Sequence, residues 1–376
     1  MRRIIGHMAH SAVGGWRGAL GVGAIAATLA LTPCAAAQAG SSSPTSEAPS
    51  PRPTEDDAPK QAAFCGGVDL VRALQVSDPA SFERFDSAAR MVVNGAGLLW
   101  RVDAPGMQPS YLFGTMHSSE AFASSFDDLV LRALSRSKLV ATELPGASTR
   151  RIANELRRLV GARSFRPQGG SLDALPDSAR VAVESRLASI GISHAVASQL
   201  QPWFLALSLS RSNCSATAAR SGAPQETADA RIERLALEQG ATVLGLETPA
   251  EQVDALASVP DEVALRMLKD AAERRVSPED FESTITGLYS ARRIGYLLAM
   301  RGQNWAGVLD GDGYADFISA FVGSFITRRN HAMAARATPI LAQGGAFVAV
   351  GALHLPGEEG MVELIRRQGF AVSRIW

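Results

Sequence analysis

The chain has 376 residues, 46% hydrophobic and 20% charged, with no formal net charge. This balance excludes a fibre, a disordered chain and a multi-span membrane protein. With aromatics at only 6%, it also excludes a basic, base-stacking nucleic-acid binder. What remains is one large globular domain or two modest ones.

Taken in chain order, Arg2, Arg3 and Arg17 precede an apolar run over 19–31, and small residues follow to Ala37-Gln38-Ala39. This is the pattern of an export signal, residues 1–39, cleaved after Ala39. The run falls short of the roughly 20 residues of a membrane span, so the reading is a periplasmic or extracellular protein, with a membrane anchor the lesser alternative. Removing three arginines and no acid leaves a formal charge of −3. Residues 40–62 are a Pro/Ser-rich, acidic, disordered spacer, and the domain occupies 63–376. Cleavage leaves Cys65 and Cys214, which in an oxidising compartment are expected to form a disulfide.

Short β-type runs at 98–102 and 110–113 form a hairpin around Pro105 and Gly106. Residues 126–134 have a helical period, and Lys138–Leu144 is a buried strand. Four helical patterns follow within 150–240, with Pro202 kinking or starting one of them. Residues 243–247 form a short strand or turn, and helices resume from Pro249 to about Leu341. A strand at 346–350, a helix at 358–368 and a strand at 370–375 end the chain. The fold class is therefore α/β, a central sheet with a mostly helical insertion over about 150–240. Its two ends share one form: strand, Gly-x-x-His, helix, strand. The segments are Gly114-Thr115-Met116-His117 and Gly351-Ala352-Leu353-His354. Each spans the length of a βαβ unit, which points to an internal duplication.

Four histidines follow the signal: His117, His194, His331 and His354. His117 and His354 each end an apolar strand and precede a helix. At the carboxyl ends of strands in an α/β sheet, side chains face the crevice where ligands bind. The two glycines would let the backbone turn sharply beside each imidazole. His194 lacks a preceding strand and His331 lies on a helix surface. Glu143 ends the strand KLVAT, where a charge must be paired or metal-bound. Glu247 is similarly placed before the helix start Thr248-Pro249. Two His and a Glu are a ligand set for Zn, Mn, Co or Fe, and the bound water could attack a carbonyl. Arg328, Arg329 and Asn330 belong to a helix, TRRNHAMAARA, from which an Arg could neutralise an oxyanion. No Gly-x-Ser-x-Gly elbow, His-Glu-x-x-His or phosphate-binding loop is present.

The stretches LLWRVDAPGMQPSYLFGTMHSSE, GLETPAEQ, TRRNHAMA and GGAFVAVGALHLPGEEGMVELIRRQGF resemble the TraB/GumN family over roughly 65–376. That family is related to the Tiki metalloproteases and, more distantly, to erythromycin esterase and ChaN-like folds. The resemblance implies an α/β core around two Gly-x-x-His motifs. It implies a metal held by His117, His354 and Glu143, usually Mn or Co, and cleavage of a peptide or protein substrate. Arg328, Arg329 and Asn330 would support the centre, and Glu247 or a water-held carboxylate would be the general base. The expectation is thus an exported metal-dependent hydrolase, a peptidase, with peripheral association with the envelope as a further option. One rival is a metal-free esterase-type hydrolase in which a His is the base and a Glu its orienting partner. The other is a non-catalytic binding protein for a metal, haem or envelope partner.

Overall fold

A computed structural model describes residues 67–116, 126–147, 149–210, 226–273, 277–300 and 322–376. The expected signal (1–39), the spacer (40–62), His117, Cys65 and Cys214 lie outside the described residues. Among the described residues there is no disulfide, and both cysteines of the expected Cys65–Cys214 bridge fall outside them. Among the described residues no helix is long and apolar enough to cross a membrane.

The architecture is mixed α/β around one sheet. The strands are β1 (Leu99–Asp103), β2 (Ser110–Thr115), β3 (Leu139–Thr142), β4 (Thr242–Gly245), β5 (Ala346–Gly351) and β6 (Ala371–Arg374), and their order across the sheet is β4-β3-β5-β2-β1-β6. β4, β3, β5 and β2 run parallel, while β1 is antiparallel to β2 and to β6. β2 and most of β5 are buried along their length, as expected of strands covered on both faces. Alternate residues divide between two cores. Tyr111, Phe113, Phe347 and Ala349 pack on one side, and Leu112, Ala346, Val348 and Val350 on the other.

The helices in chain order are α1 (Leu70–Ser77), α2 (Pro79–Arg90), α3 (Asp128–Ser135), α4 (Arg150–Ser164), α5 (Asp177–Ser189), α6 (His194–Ala197), α7 (Pro202–Leu209), α8 (Ala228–Glu238), α9 (Pro249–Ala257), α10 (Asp261–Glu273), α11 (Pro278–Ser290), α12 (Gly295–Ala299), α13 (Arg328–Leu341) and α14 (Met361–Arg367). Pro202 starts α7 rather than kinking a longer helix, because a missing N–H costs nothing in the first turn. α3 and α8 cover one face of the sheet, and α13 and α14 the other. α5, α7 and α10 build a separate helical core around Leu187, Leu205 and Leu268.

In neither strand–Gly-x-x-His–helix–strand unit do the two strands pair with each other. β5 lies between β2 and β3, and β6 sits at the far edge beside β1. The consequence is functional. The chain leaving β3 goes to β4 on one side, while the chain leaving β5 goes to β6 on the other. That divergence is a topological switch point, where a crevice opens beyond the strand ends. Thr115 is level with Gly351, and Thr142 with Gly245, so the carboxyl ends of the four parallel strands form one edge.

The motif glycines serve close approach rather than a left-handed turn; neither has a positive φ. A Cβ on Gly114 would lie 2.7 Å from Leu355 Cδ1 and 3.0 Å from Ala352 Cα, in the turn that carries His354. Overfilling a packed contact of this kind costs about 1–3 kcal/mol. Gly114→Ala is therefore expected to lower unfolding free energy by that amount, measured by urea denaturation.

Candidate functional site

β3 delivers Glu143 one residue beyond its end, and β4 delivers Glu247 two residues beyond its own. The parallel ladder continues there, with Glu247 N–H donating to the Glu143 carbonyl at 2.8 Å. Glu247 is not the helix cap. Thr248 and Glu251 form a capping box for α9 with Pro249 in the first turn, which holds the preceding residue in place. Arg336 of α13 fixes the same turn by donating to the Leu246 carbonyl at 2.6 Å and to Glu251 at 2.5 Å.

Arg329 enters from the start of α13. A π-helical turn, Val322–Thr327, precedes that helix and places the Phe325 ring 4.7 Å beneath the guanidinium. Nε donates to Glu247 Oε1 at 2.8 Å, and Nη2 donates to Glu247 Oε2 at 2.5 Å and to Glu143 Oε2 at 2.7 Å. Nη1 is buried and has no hydrogen-bond partner among the described residues. Gly351 N–H also donates to Glu143 Oε1 at 2.6 Å, and Gln252 Nε2 to Glu247 Oε2 at 3.2 Å.

His354 sits at the end of a 3₁₀ turn, Ala352–His354, that follows β5. Asn330 Nδ2 donates to the Glu359 carbonyl at 2.7 Å, so Asn330 Oδ1 is the acceptor that meets His354 Nδ1 at 2.5 Å. This network assigns the ring proton to Nδ1. Nε2 then turns toward Glu143 Oε1 at 3.7 Å, beyond hydrogen-bond length. Glu143, Glu247, Arg329, Asn330 and His354 are all less than a tenth exposed.

Of the residues expected from the sequence, these five converge. Arg328 does not; it is exposed and donates to Ser258 Oγ at 2.6 Å, because adjacent helical residues point about 100° apart. His331 and His194 are exposed and pair with Glu359 and Glu184 respectively. Gln252 and the Gly351 N–H carried no sequence signal. Nor did Asp229 and Glu233, one turn apart on α8. They take Thr115 Oγ1 at 3.3 Å and Thr142 Oγ1 at 2.9 Å from the opposite face of the sheet.

The expected Mn, Co or Zn ion is corrected by the donor set. Among the described residues no group of three His, Cys, Asp or Glu could hold a metal. Both Glu143 oxygens are hydrogen-bonded, both Glu247 oxygens face Arg329, and His354 Nδ1 is committed to Asn330. A divalent ion on those oxygens would sit beside a fixed positive charge. The buried carboxylate at a strand end is paired, and its partner is a guanidinium.

Two carboxylates share one buried cation, so the charges do not balance within this trio. Burial pushes the Glu247 carboxyl above its ordinary value. The Arg329 hydrogen bonds offset only part of the rise, and the Glu143 charge adds to it. For Arg329, burial alone would lower the pKa, but Glu143 and Glu247 more than reverse this. Glu233 on the opposite face is also raised, chiefly by burial.

A TraB/PrgY/gumN family model matches residues 98–374, well over half of the chain. That match gives no support for the Tiki-type metalloprotease relationship expected from the sequence. No curated protein and no solved structure matches the chain.

Two outcomes follow from the charge count. Arg329→Leu strands two buried carboxylates and is expected to cost about 3–5 kcal/mol, read by urea denaturation. For Glu247, the folded state holds its proton to higher pH than the unfolded state. Its protonated form therefore stabilises the fold below the ordinary value of 4.5, and this contribution fades as pH rises through the raised value. Wild type should lose stability relative to Glu247→Gln over that interval, measured by thermal denaturation at stepped pH.

Proposed function

The chain belongs to the TraB/PrgY/gumN family, and from that premise we propose that it is a metal-free hydrolase of acyl esters, with His354 as general base. The observation that supports this is the Asn330–His354 pair at 2.5 Å. Asn330 holds the proton on Nδ1 and turns Nε2 toward the crevice, as the His–Asn pair does in some cysteine proteases. The orienting partner is therefore an amide rather than the glutamate expected from the sequence.

His354 Nε2 and Glu143 Oε1, 3.7 Å apart, are near enough for one water to donate a proton to each. In the proposed reaction, the water oxygen attacks the substrate carbonyl carbon as Nε2 takes its proton. A carbon–oxygen bond forms, and the carbonyl π electrons move onto oxygen. Arg329 Nη1, buried and without a protein partner, is the donor suited to that oxyanion. As the oxyanion collapses, the bond to the alkoxy group breaks and the imidazolium returns its proton to the leaving oxygen. Glu143 offsets the transient positive charge on His354. Glu247 holds Arg329 and takes no proton from substrate. His117 remains a candidate second imidazole beyond β2. The same chemistry extends to peptide amides, and export to the periplasm or beyond, as expected from residues 1–39, would put the substrate outside the cytoplasm.

Hydrolysis of p-nitrophenyl acyl esters, with a peptide library alongside, tests the reading. Activity should survive exhaustive chelation. His354→Ala should lower kcat by about 10²–10⁴-fold. Asn330→Ala should lower kcat by at least tenfold with little change in KM, since it acts only through the ring. Activity that disappears on chelation and returns with Mn would overturn the proposal. Substrate retained without turnover would instead favour a binding protein.

A further inference from the structure

The antiparallel side of the sheet carries a cavity of about 580 Å³, within the range of small-molecule sites. It lies where β1 and β6 meet the turn after α2, the start of α12 and the end of α14. Its lining includes the buried side chains of Trp100 and Tyr296 and the arginines Arg293, Arg366 and Arg374. None of these residues belongs to the crevice at the parallel strand ends.

The charges around it are unbalanced. Asp86 accepts from the Tyr296 hydroxyl and pairs with Arg90 at 2.6 Å, and Glu363 pairs with Arg366 at 3.2 Å. Arg293 and Arg374 have no carboxylate partner among the described residues. Arg293 stacks toward the Tyr296 ring at 5.6 Å, and Arg374 only reaches the Ala96 carbonyl at 3.5 Å. Both are exposed and can be reached by a ligand entering from solvent.

Two lining residues carry a buried polar group with no hydrogen-bond partner among the described residues. Trp100 is 4% exposed, and its Nε1 N–H has no partner. Asn94 accepts from Arg366 at 2.8 Å through Oδ1, and its buried Nδ2 donates to nothing. Buried polar groups are normally satisfied, so two orphaned groups beside one cavity call for an explanation. Both are donors, as are the guanidinium groups of the four lining arginines, Arg90 included. A site furnished with donors and positive charge selects an oxyanion, and arginine forks match carboxylate and phosphate geometry. We infer that this cavity binds a small organic anion through a carboxylate or phosphate group, with its body against Trp100 and Tyr296.

Isothermal titration of the purified chain with inorganic phosphate and with citrate, at fixed ionic strength, tests this. At least one should bind saturably with one-to-one stoichiometry, and the better of the two names the head group. Arg293→Gln combined with Arg374→Gln should weaken that binding at least tenfold without shifting the unliganded melting temperature, since both side chains are exposed. Trp100→Phe, which keeps an aromatic ring but removes the indole N–H with its five-membered ring, should weaken it severalfold. Saturable binding of neither anion, or unchanged affinity in the double arginine variant, would overturn the inference.

Discussion

The buried guanidinium of Arg329 is the interaction on which the rest of this site depends. Two strands end at the sheet's carboxyl edge in glutamates that are almost wholly removed from water. Isolated carboxylates there would be prohibitively desolvated. Arg329 meets both through two of its three nitrogens, so the ends of β3 and β4 and the start of α13 become one unit. The Phe325 ring and the Arg336 contact to the Leu246 carbonyl fix that unit from its two ends.

Within the trio of Glu143, Glu247 and Arg329 there is one more carboxylate than cations, and burial raises the Glu247 carboxyl. Such imbalance is unfavourable for stability, and buried ion pairs seldom improve on apolar packing. A fold that keeps it anyway holds perturbed titratable groups at a topological switch point, the edge of α/β sheets where ligands bind. This is the electrostatic argument for chemistry at the edge, and it requires no metal.

The sheet was legible because its parallel strands are short apolar runs ending in glycine or a charge, and β3, β4 and β5 lie within a residue or two of the predicted runs. Glu143, Glu247 and His354 were legible for the same reason: each interrupts or follows such a run. What could not be read was who meets whom. A charge at a buried strand end must be neutralised, but the sequence does not say whether by an ion or by an arginine almost two hundred residues away. Arg328 and Arg329 were equivalent on paper, and only the phase of α13 separates them. Strand order was also hidden, since β5 enters between β2 and β3 from the far end of the chain. The arginine-lined cavity draws on segments near both ends of the domain, so no local pattern announces it. Glu358 and Glu359, expected in the first turn of the last helix, precede it instead. Gly360 is the residue that opens α14, and Glu359 pairs with His331 and Arg367.

The position of one proton on His354 is set by backbone several steps away. His354 Nδ1 is a donor because Asn330 Oδ1 accepts, and Asn330 presents that oxygen because its amide nitrogen is bound to the Glu359 carbonyl. That carbonyl lies in a tight loop between the 3₁₀ turn and α14. The loop passes through Gly357 at φ +94°, and through Gly360, where a Cβ would lie 2.3 Å from the Leu355 carbonyl oxygen. Only glycine fits either place without strain or collision. The glycines of GALHLPGEEG thus divide their work. Gly351 brings its N–H to Glu143, and Gly357 and Gly360 fold the loop that orients Asn330. A motif that looks in sequence like a histidine with a glycine before it is, in the folded chain, a histidine whose tautomer is governed by the glycines after it.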